Sequence, residues 1–262
     1  ETITGEDYDS WFEREILAAL GMHDSQLRWT DKLEQSLVSG YDADLTTKIP
    51  YWHTLYRPFG GLNTTARDMA KFLLLFTDES VPNESMPKNN IVSTSSLKRM
   101  ETAETTLAAK ARLNTGYGLG IRSTYFTGHR IYGHGGDGDG YLAEFAYSKE
   151  SHRAYFVVIN AFRHDILDDF TGLLNNWLVE ELHETEEVAS QQPIKPLSIE
   201  QLLEITGEYQ EVTARFPFHT NAQAEVIFIK KINNDIFKSL PNTNTNECKK
   251  ILPVSEVLFR TE

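Results

Sequence analysis

The sequence predicts an α+β chain, an antiparallel sheet flanked by helices and followed by a small β-rich appendage. Helical periodicity brackets the first part, at residues 8–20 and 168–182, and strand-like runs joined by short polar turns lie between the two. An acidic, then glutamine- and proline-rich stretch at 183–197 has no apolar period and reads as a linker. Helices on either side of tightly connected strands are the signature of an antiparallel meander with its helices segregated around it. The expected organisation is therefore a first domain at 1–182, a linker at 183–197 and a β-rich domain at 198–262.

From Tyr8 to Leu20 the apolar residues Tyr8, Trp11, Phe12, Ile16, Ala19 and Leu20 share one helical face, Glu6 and Asp7 stand at the start, and Gly21 ends the run. The segment from Met22 to Phe59 is irregular, with Pro50, Pro58 and scattered aromatics, and reads as a long excursion over a surface or around a site. Gly60-Gly61 then turns the chain into a helix beginning near Ala66. There Thr65 and Asp68 have capping-box spacing, and Met69, Phe72, Leu73 and Phe76 form a buried face. A short helix is expected over Ser93–Thr102, and strands at Leu142–Tyr147 and Ala154–Asn160, joined by the turn Ser148–Ser151. Beyond the linker, runs at Glu204–Tyr209, Glu225–Ile229, Ile236–Phe237 and Val257–Arg260 predict short strands.

With 262 residues, 40% hydrophobic and 24% charged, the chain is long enough to bury a substantial core. Its net charge of −13 disfavours nucleic acid or an anionic membrane as the main partner. The lone Cys248 allows neither an internal disulfide nor a cysteine metal cluster, and no apolar run is long enough to span a bilayer. The chain begins at Glu1 with neither methionine nor a signal-like segment, which reads as a processed or excised piece.

The densest signal is Tyr132-Gly133-His134-Gly135-Gly136-Asp137-Gly138-Asp139-Gly140, set between strand-like segments. Glycine in such numbers indicates a backbone that something must approach closely, or one that takes φ values closed to other residues. His134 is the one titratable base in it and reads as a site residue, cationic beside a carboxylate or neutral as a donor. Asp137 and Asp139 lack a neighbouring histidine at ligand spacing and read as turn residues, so no metal and no cofactor are expected. His129, His152, His164 and His183, near turns and helix ends, read as solvated, and Tyr117 and Tyr141 as core or rim.

Taken in order, Thr4-Gly5, Leu20-Gly21-Met22, Pro58-Phe59-Gly60-Gly61-Leu62 before Thr64–Met69, Gly116-Tyr117-Gly118-Leu119-Gly120 and His134-Gly135-Gly136 resemble the serine β-lactamase-related family of class C type. That family includes class C β-lactamases, D-alanyl-D-alanine carboxypeptidases, esterases and D-aminopeptidases. The resemblance covers residues 1–182, and residues 198–262 are similar to a small β domain often fused behind such hydrolases. It implies an active site at the junction of a helical subdomain and the sheet, a Ser-x-x-Lys nucleophile motif, and a Tyr-x-Asn or Tyr-x-Ser proton carrier. His134-Gly135-Gly136 stands where the family has Lys-Thr-Gly, and the backbone N–H of Asp137 is implied as an oxyanion donor.

The family's first two motifs precede Thr4-Gly5, so the nucleophile is expected upstream of this chain. The internal strings Ser85-Met86-Pro87-Lys88 and Ser95-Ser96-Leu97-Lys98 read as decoys. By resemblance the full-length protein is a penicillin-recognising serine hydrolase acting by acyl transfer on a small-molecule or peptide amide or ester, in the periplasm or otherwise outside the cytoplasm. Histidine in place of the lysine tilts it towards esterase or peptidase over β-lactamase. The alternative is a catalytically inactive binding or regulatory module, and the chain by itself is expected to be inactive.

Overall fold

The structure is a computed structural model that describes residues 1–51, 53–54, 57–77, 91–105, 107–110, 116–138, 140–183, 194–210, 226–233, 235–240, 248–253 and 259–261. The chain divides into two compact units, Glu1–Glu187 and Val188–Glu262. Most of the expected linker, the Ser85–Lys88 string and Asp139 lie outside the described residues.

In the first unit, α1 (Tyr8–Phe12) is capped by Asp7, whose carboxylate accepts from Ser10 N at 3.0 Å, and it widens into a π-helical segment at Glu13–Ala18. The expected helix is present, and Leu17, Leu20 and Met22 bury its inner side together with Met69. The irregular excursion contains elements that its sequence did not announce, a short α2 (Asp31–Ser36) and the paired two-residue strands β1 (Gly40–Tyr41) and β2 (Lys48–Ile49). Helix α3 (Ala66–Thr77) follows, then α4 (Thr94–Glu101) capped by Ser93, and α5 (Leu107–Lys110).

Five strands form an antiparallel meander in chain order: β3 (Gly116–Tyr117), β4 (Arg122–Phe126), β5 (His129–Gly138), β6 (Tyr141–Ser148) and β7 (Arg153–Ile159). Period-two alternation sends Tyr132, Phe145, Tyr147 and Phe156 to one face, where Leu73 and Phe76 of α3 pack. Ile131, Ala146 and Tyr155 go to the other, under Leu178 and Val179. Those residues belong to α6 (His164–Val179), which begins four residues earlier than its periodicity predicts.

The capping box predicted for α3 is only half formed. Thr65 Oγ1 accepts from Asp68 N at 3.2 Å, but the Asp68 carboxylate turns inward instead of back to Thr65. It accepts from Asp24 N, Ser25 Oγ and Lys71 Nζ, each at 2.8 Å, and Lys71 also donates to Gly21 O. Burial pushes this carboxyl up, yet the Lys71 and Ser25 side chains and the Asp24 amide outweigh it and hold it below the usual carboxylate range. Asp9 does comparable work in α1. It is buried, and it lies 2.6 Å from Arg28 Nε and 2.7 Å from Arg57 Nε, which ties the chain just before Gly60-Gly61 to the first helix.

The second unit, taken by itself, carries α7 (Ile199–Glu204) with a complete capping box between Ser198 and Gln201. Its strands β8 (Gly207–Gln210), β9 (Val226–Ile232), β10 (Asp235–Ser239), β11 (Lys249–Pro253) and β12 (Phe259–Thr261) form a second antiparallel meander, with Ile236 and Ile251 buried. Neither α7 nor β11 was anticipated. Among the described residues no helix is long and apolar enough to cross a membrane, and no group of histidine, cysteine and carboxylate side chains has metal-binding geometry.

Candidate active site

The glycine run does not sit beside a strand but is one. β5 continues in extended conformation to Gly138, and among the described residues of the run only Gly140, at the turn into β6, has a positive φ, of 80°. The distinctive feature of the run is its pairing. On one side β5 pairs with β6 throughout, from Tyr132 opposite Tyr147 to Gly138 opposite Tyr141. On the other side its ladder with β4 ends at Gly133, opposite Arg122, because β4 begins there and pairs onward with β3. Among the described residues, His134–Gly138 is therefore an open edge, whose backbone groups can take an extended chain as an added strand.

His134 projects to the α3 side of the sheet with Tyr132 and Phe145, half-buried, and the Tyr117 ring meets it edge-on at 5.8 Å. Its Nδ1 lies 2.5 Å from Gly135 O. A carbonyl accepts, so the proton is assigned to Nδ1, leaving Nε2 as the atom free to act. The sequence left Tyr117 as core or rim; its placement against His134 comes from the β3–β4 pairing, which no local pattern encodes. Asp137 is exposed on the opposite face, with Oδ2 3.7 Å from His164 Nε2 at the start of α6.

Close approaches hold this edge from the β6 side and at its turn. A Cβ on Gly133 would lie 2.1 Å from Phe145 O, and one on Gly140 would lie 2.9 Å from the Gly40 backbone. Gly40 belongs to the β1–β2 piece, which is anchored by the Tyr41 N to Asn160 O bond at 3.0 Å and by the Tyr141 hydroxyl donating to Val38 O. Tyr51 follows β2 closely and packs against Trp29 with the rings tilted and their centroids 4.5 Å apart, while Asn63 Nδ2 donates to the Tyr51 hydroxyl at 2.9 Å. The excursion thus closes over the turn end of the open edge.

Other candidates fall elsewhere. Ser95, Ser96 and Lys98 are exposed on α4, and the Ser93 hydroxyl contacts those of both serines, at 2.9 Å each. His129 was expected to be solvated but is 3% exposed, because β5 starts at this residue and places it on the α6 face, its Nδ1 3.0 Å from Glu150 Oε2. It lines a pocket with Thr127, Leu173, Asn176 and Trp177, away from the glycine edge. Cys248 lines a pocket of the second unit with Leu203 and Lys231.

A family model described as Beta-lactamase matches residues 1–172. No curated protein matches the sequence significantly. Among solved structures, the chain is similar to a class C beta-lactamase at 13% identity, with a TM-score of 0.55 over 70% of this chain and 53% of that one. It is similar to a beta-lactamase/D-alanine carboxypeptidase from Pseudomonas syringae at 9% identity, with a TM-score of 0.51 over 68% and 54%. SurE matches over 99% of this chain and 56% of its own, at 15% identity and a TM-score of 0.53. The chain spans about half the length of these structures, and at such identities the likeness establishes the fold. With the family match extending from the first helix into α6, through the meander and its open glycine edge, the chain belongs to the beta-lactamase family.

Proposed function

We propose that this chain forms one wall of an acyl-transfer cleft in a serine hydrolase acting on amides or esters, with the nucleophile supplied by a segment not contained in Glu1–Glu262. The observation that carries this reading is the open His134–Gly138 edge. An extended substrate aligns along it as an added strand, its scissile carbonyl held near the Asp137 N–H, which serves as one oxyanion donor. His134 presents Nε2 on the α3 side, as a hydrogen-bond acceptor when neutral and a cation for a substrate carboxylate when protonated. A lysine supplies a fixed positive charge and a histidine supplies one only when protonated, which favours ester or peptide substrates over β-lactams that need a fixed charge. The family resemblance also carries the proposal that the protein works outside the cytoplasm.

The nucleophile is placed outside the chain for two reasons. The chain spans about half the length of the structures it resembles, and its only described Ser-x-x-Lys string is exposed on α4. A fluorophosphonate probe tests this. The full-length protein is expected to be labelled on a serine and Glu1–Glu262 alone to stay unlabelled. A folded full-length protein that resists both this probe and a β-lactam probe would refute the hydrolase and favour a non-catalytic binding module, whereas a covalent adduct on the chain alone would refute the placement of the nucleophile. Comparing p-nitrophenyl ester with nitrocefin turnover separates esterase from β-lactamase activity.

A further inference from the structure

Directly beneath the glycine edge, on the face turned to α6, lies a partly buried ion pair to which the acyl-transfer reading gives no role. Glu144 stands on β6 opposite Gly135, its side chain 13% exposed, and the Arg122 guanidinium donates to its carboxylate. Arg122 is also the first residue of β4, paired with Gly133 at the point where β5 loses its second neighbour. A Cβ on Gly135 would lie 2.8 Å from Glu144 Oε2, so the carboxylate sits against the Gly135 backbone in space that only glycine leaves. The titratable groups acting on it are Arg122 from β4, Asp168 from α6 and Tyr155 from β7. Burial pushes the Glu144 carboxyl up, Arg122 pulls it back, and Asp168 adds to the rise. Tyr155 is raised by burial and by Glu144, and its hydroxyl donates to Asn175 Oδ1 at 3.0 Å.

We propose that Glu144 and Arg122 are positioning residues of the acylation cleft: the pair supports Gly135 from below and fixes the point where the open edge begins, and so sets the level at which Gly135–Asp137 meets the substrate. The proposal deepens the acyl-transfer reading and rests on it for its catalytic consequence, but its structural half stands apart from catalysis. Ionised, Glu144 holds the guanidinium across β4, β5 and β6; protonated, it keeps at most a neutral hydrogen bond, and the edge loses that restraint. Displacements of about 1 Å at a reacting centre cost on the order of a hundredfold in rate.

Two readouts test this. In Glu1–Glu262 itself, the amide resonances of Gly135, Gly136 and Asp137 are followed with pH. A shared titration is expected with its midpoint above the ordinary glutamate value of about 4.3. It should persist in His134→Gln, vanish in Glu144→Gln, and move to higher pH in Arg122→Lys, which removes the forked donor that favours the ionised carboxylate. In the full-length protein, the fluorophosphonate labelling rate should fall about tenfold in Glu144→Gln, and its acid limb should flatten with it. Amides that titrate only with His134 would overturn the positioning role, as would labelling whose pH profile is the same in Glu144→Gln. An inert wild-type protein with the amide titration intact would instead overturn the hydrolase reading and leave the support of the edge standing.

Discussion

Gly133→Ala is the sharpest test of how the open edge is built. A methyl group there would sit 2.1 Å from Phe145 O and 3.1 Å from the Ala146 Cα, both on β6. Non-bonded atoms settle near 3.5 Å, so the strands must part locally by about 1.4 Å on a spacing of about 4.8 Å, enough to break ladder hydrogen bonds. Overpacking together with lost pairing should cost about 2–4 kcal/mol. All the tryptophans precede residue 188, so their fluorescence in a urea titration reports the first unit selectively. With a slope of about 2 kcal/mol per molar urea, the midpoint should fall by about 1–2 M. Gly138→Ala is the control: it lies in the same strand with nothing within 4 Å of its Cβ position and should stay within about 0.5 kcal/mol of wild type. If Gly133→Ala is also within that margin, or the two variants lose equally, the close β5–β6 approach does not constrain the edge.

Asp68→Asn should destabilise the first unit by about 2–4 kcal/mol at pH 7, since it sets an amide donor among the Asp24, Ser25 and Lys71 donors. Because the folded carboxyl lies below its unfolded value, the contribution is present above about pH 4 and is lost as pH falls through the folded value, so wild type and variant should converge in acid-range urea titrations. Glu101 is buried, accepting from the Tyr147 hydroxyl at 2.9 Å and from Lys149 Nζ at 2.8 Å. Glu101→Ala should therefore cost about 2–4 kcal/mol, and a double-mutant cycle with Tyr147→Phe should show coupling of about 1 kcal/mol or more; additive losses would place the two groups in separate networks.

The fold was legible wherever one local period governed a segment. Tyr8–Leu20 and Met69–Phe76 each present one apolar face and are helical, the first turning π-helical after Phe12, while Leu142–Tyr147 and Ala154–Asn160 are short apolar runs that form strands covered on both faces. Met22–Phe59 hid α2 and the β1–β2 pair, because elements this short are stabilised by partners distant in sequence, such as Asn160 and Gly140. The same limit applied at the site. His134 stood out by its glycine surroundings. Glu144 and Arg122 had no local mark, since a charge inside a strand pattern reads as solvent-facing until the opposite face is known to carry a helix. His129 misled for a related reason: a residue next to a turn reads as exposed, but here it begins the strand.

An edge left open for a substrate cannot also be held by a neighbouring strand, and a strand rich in glycine is the one least able to hold itself, since glycine carries the largest backbone entropy and no side chain to pack. The three close approaches answer that conflict. Phe145 O presses on Gly133, the Glu144 carboxylate on Gly135 and the Gly40 backbone on Gly140. Each uses space that a side chain would have filled, so the absence of side chains that loosens the strand is what admits the groups that fix it. Composition also guards the edge against wrong partners. His134–Gly138 offers imidazole, carboxylate and bare backbone where β7, the outer strand of the same meander, offers Tyr155-Phe156-Val157-Val158-Ile159. The glycine edge therefore gives another copy of itself little apolar surface for dry pairing, which suits the proposed role of binding a ligand that matches the backbone and presents chemistry to His134.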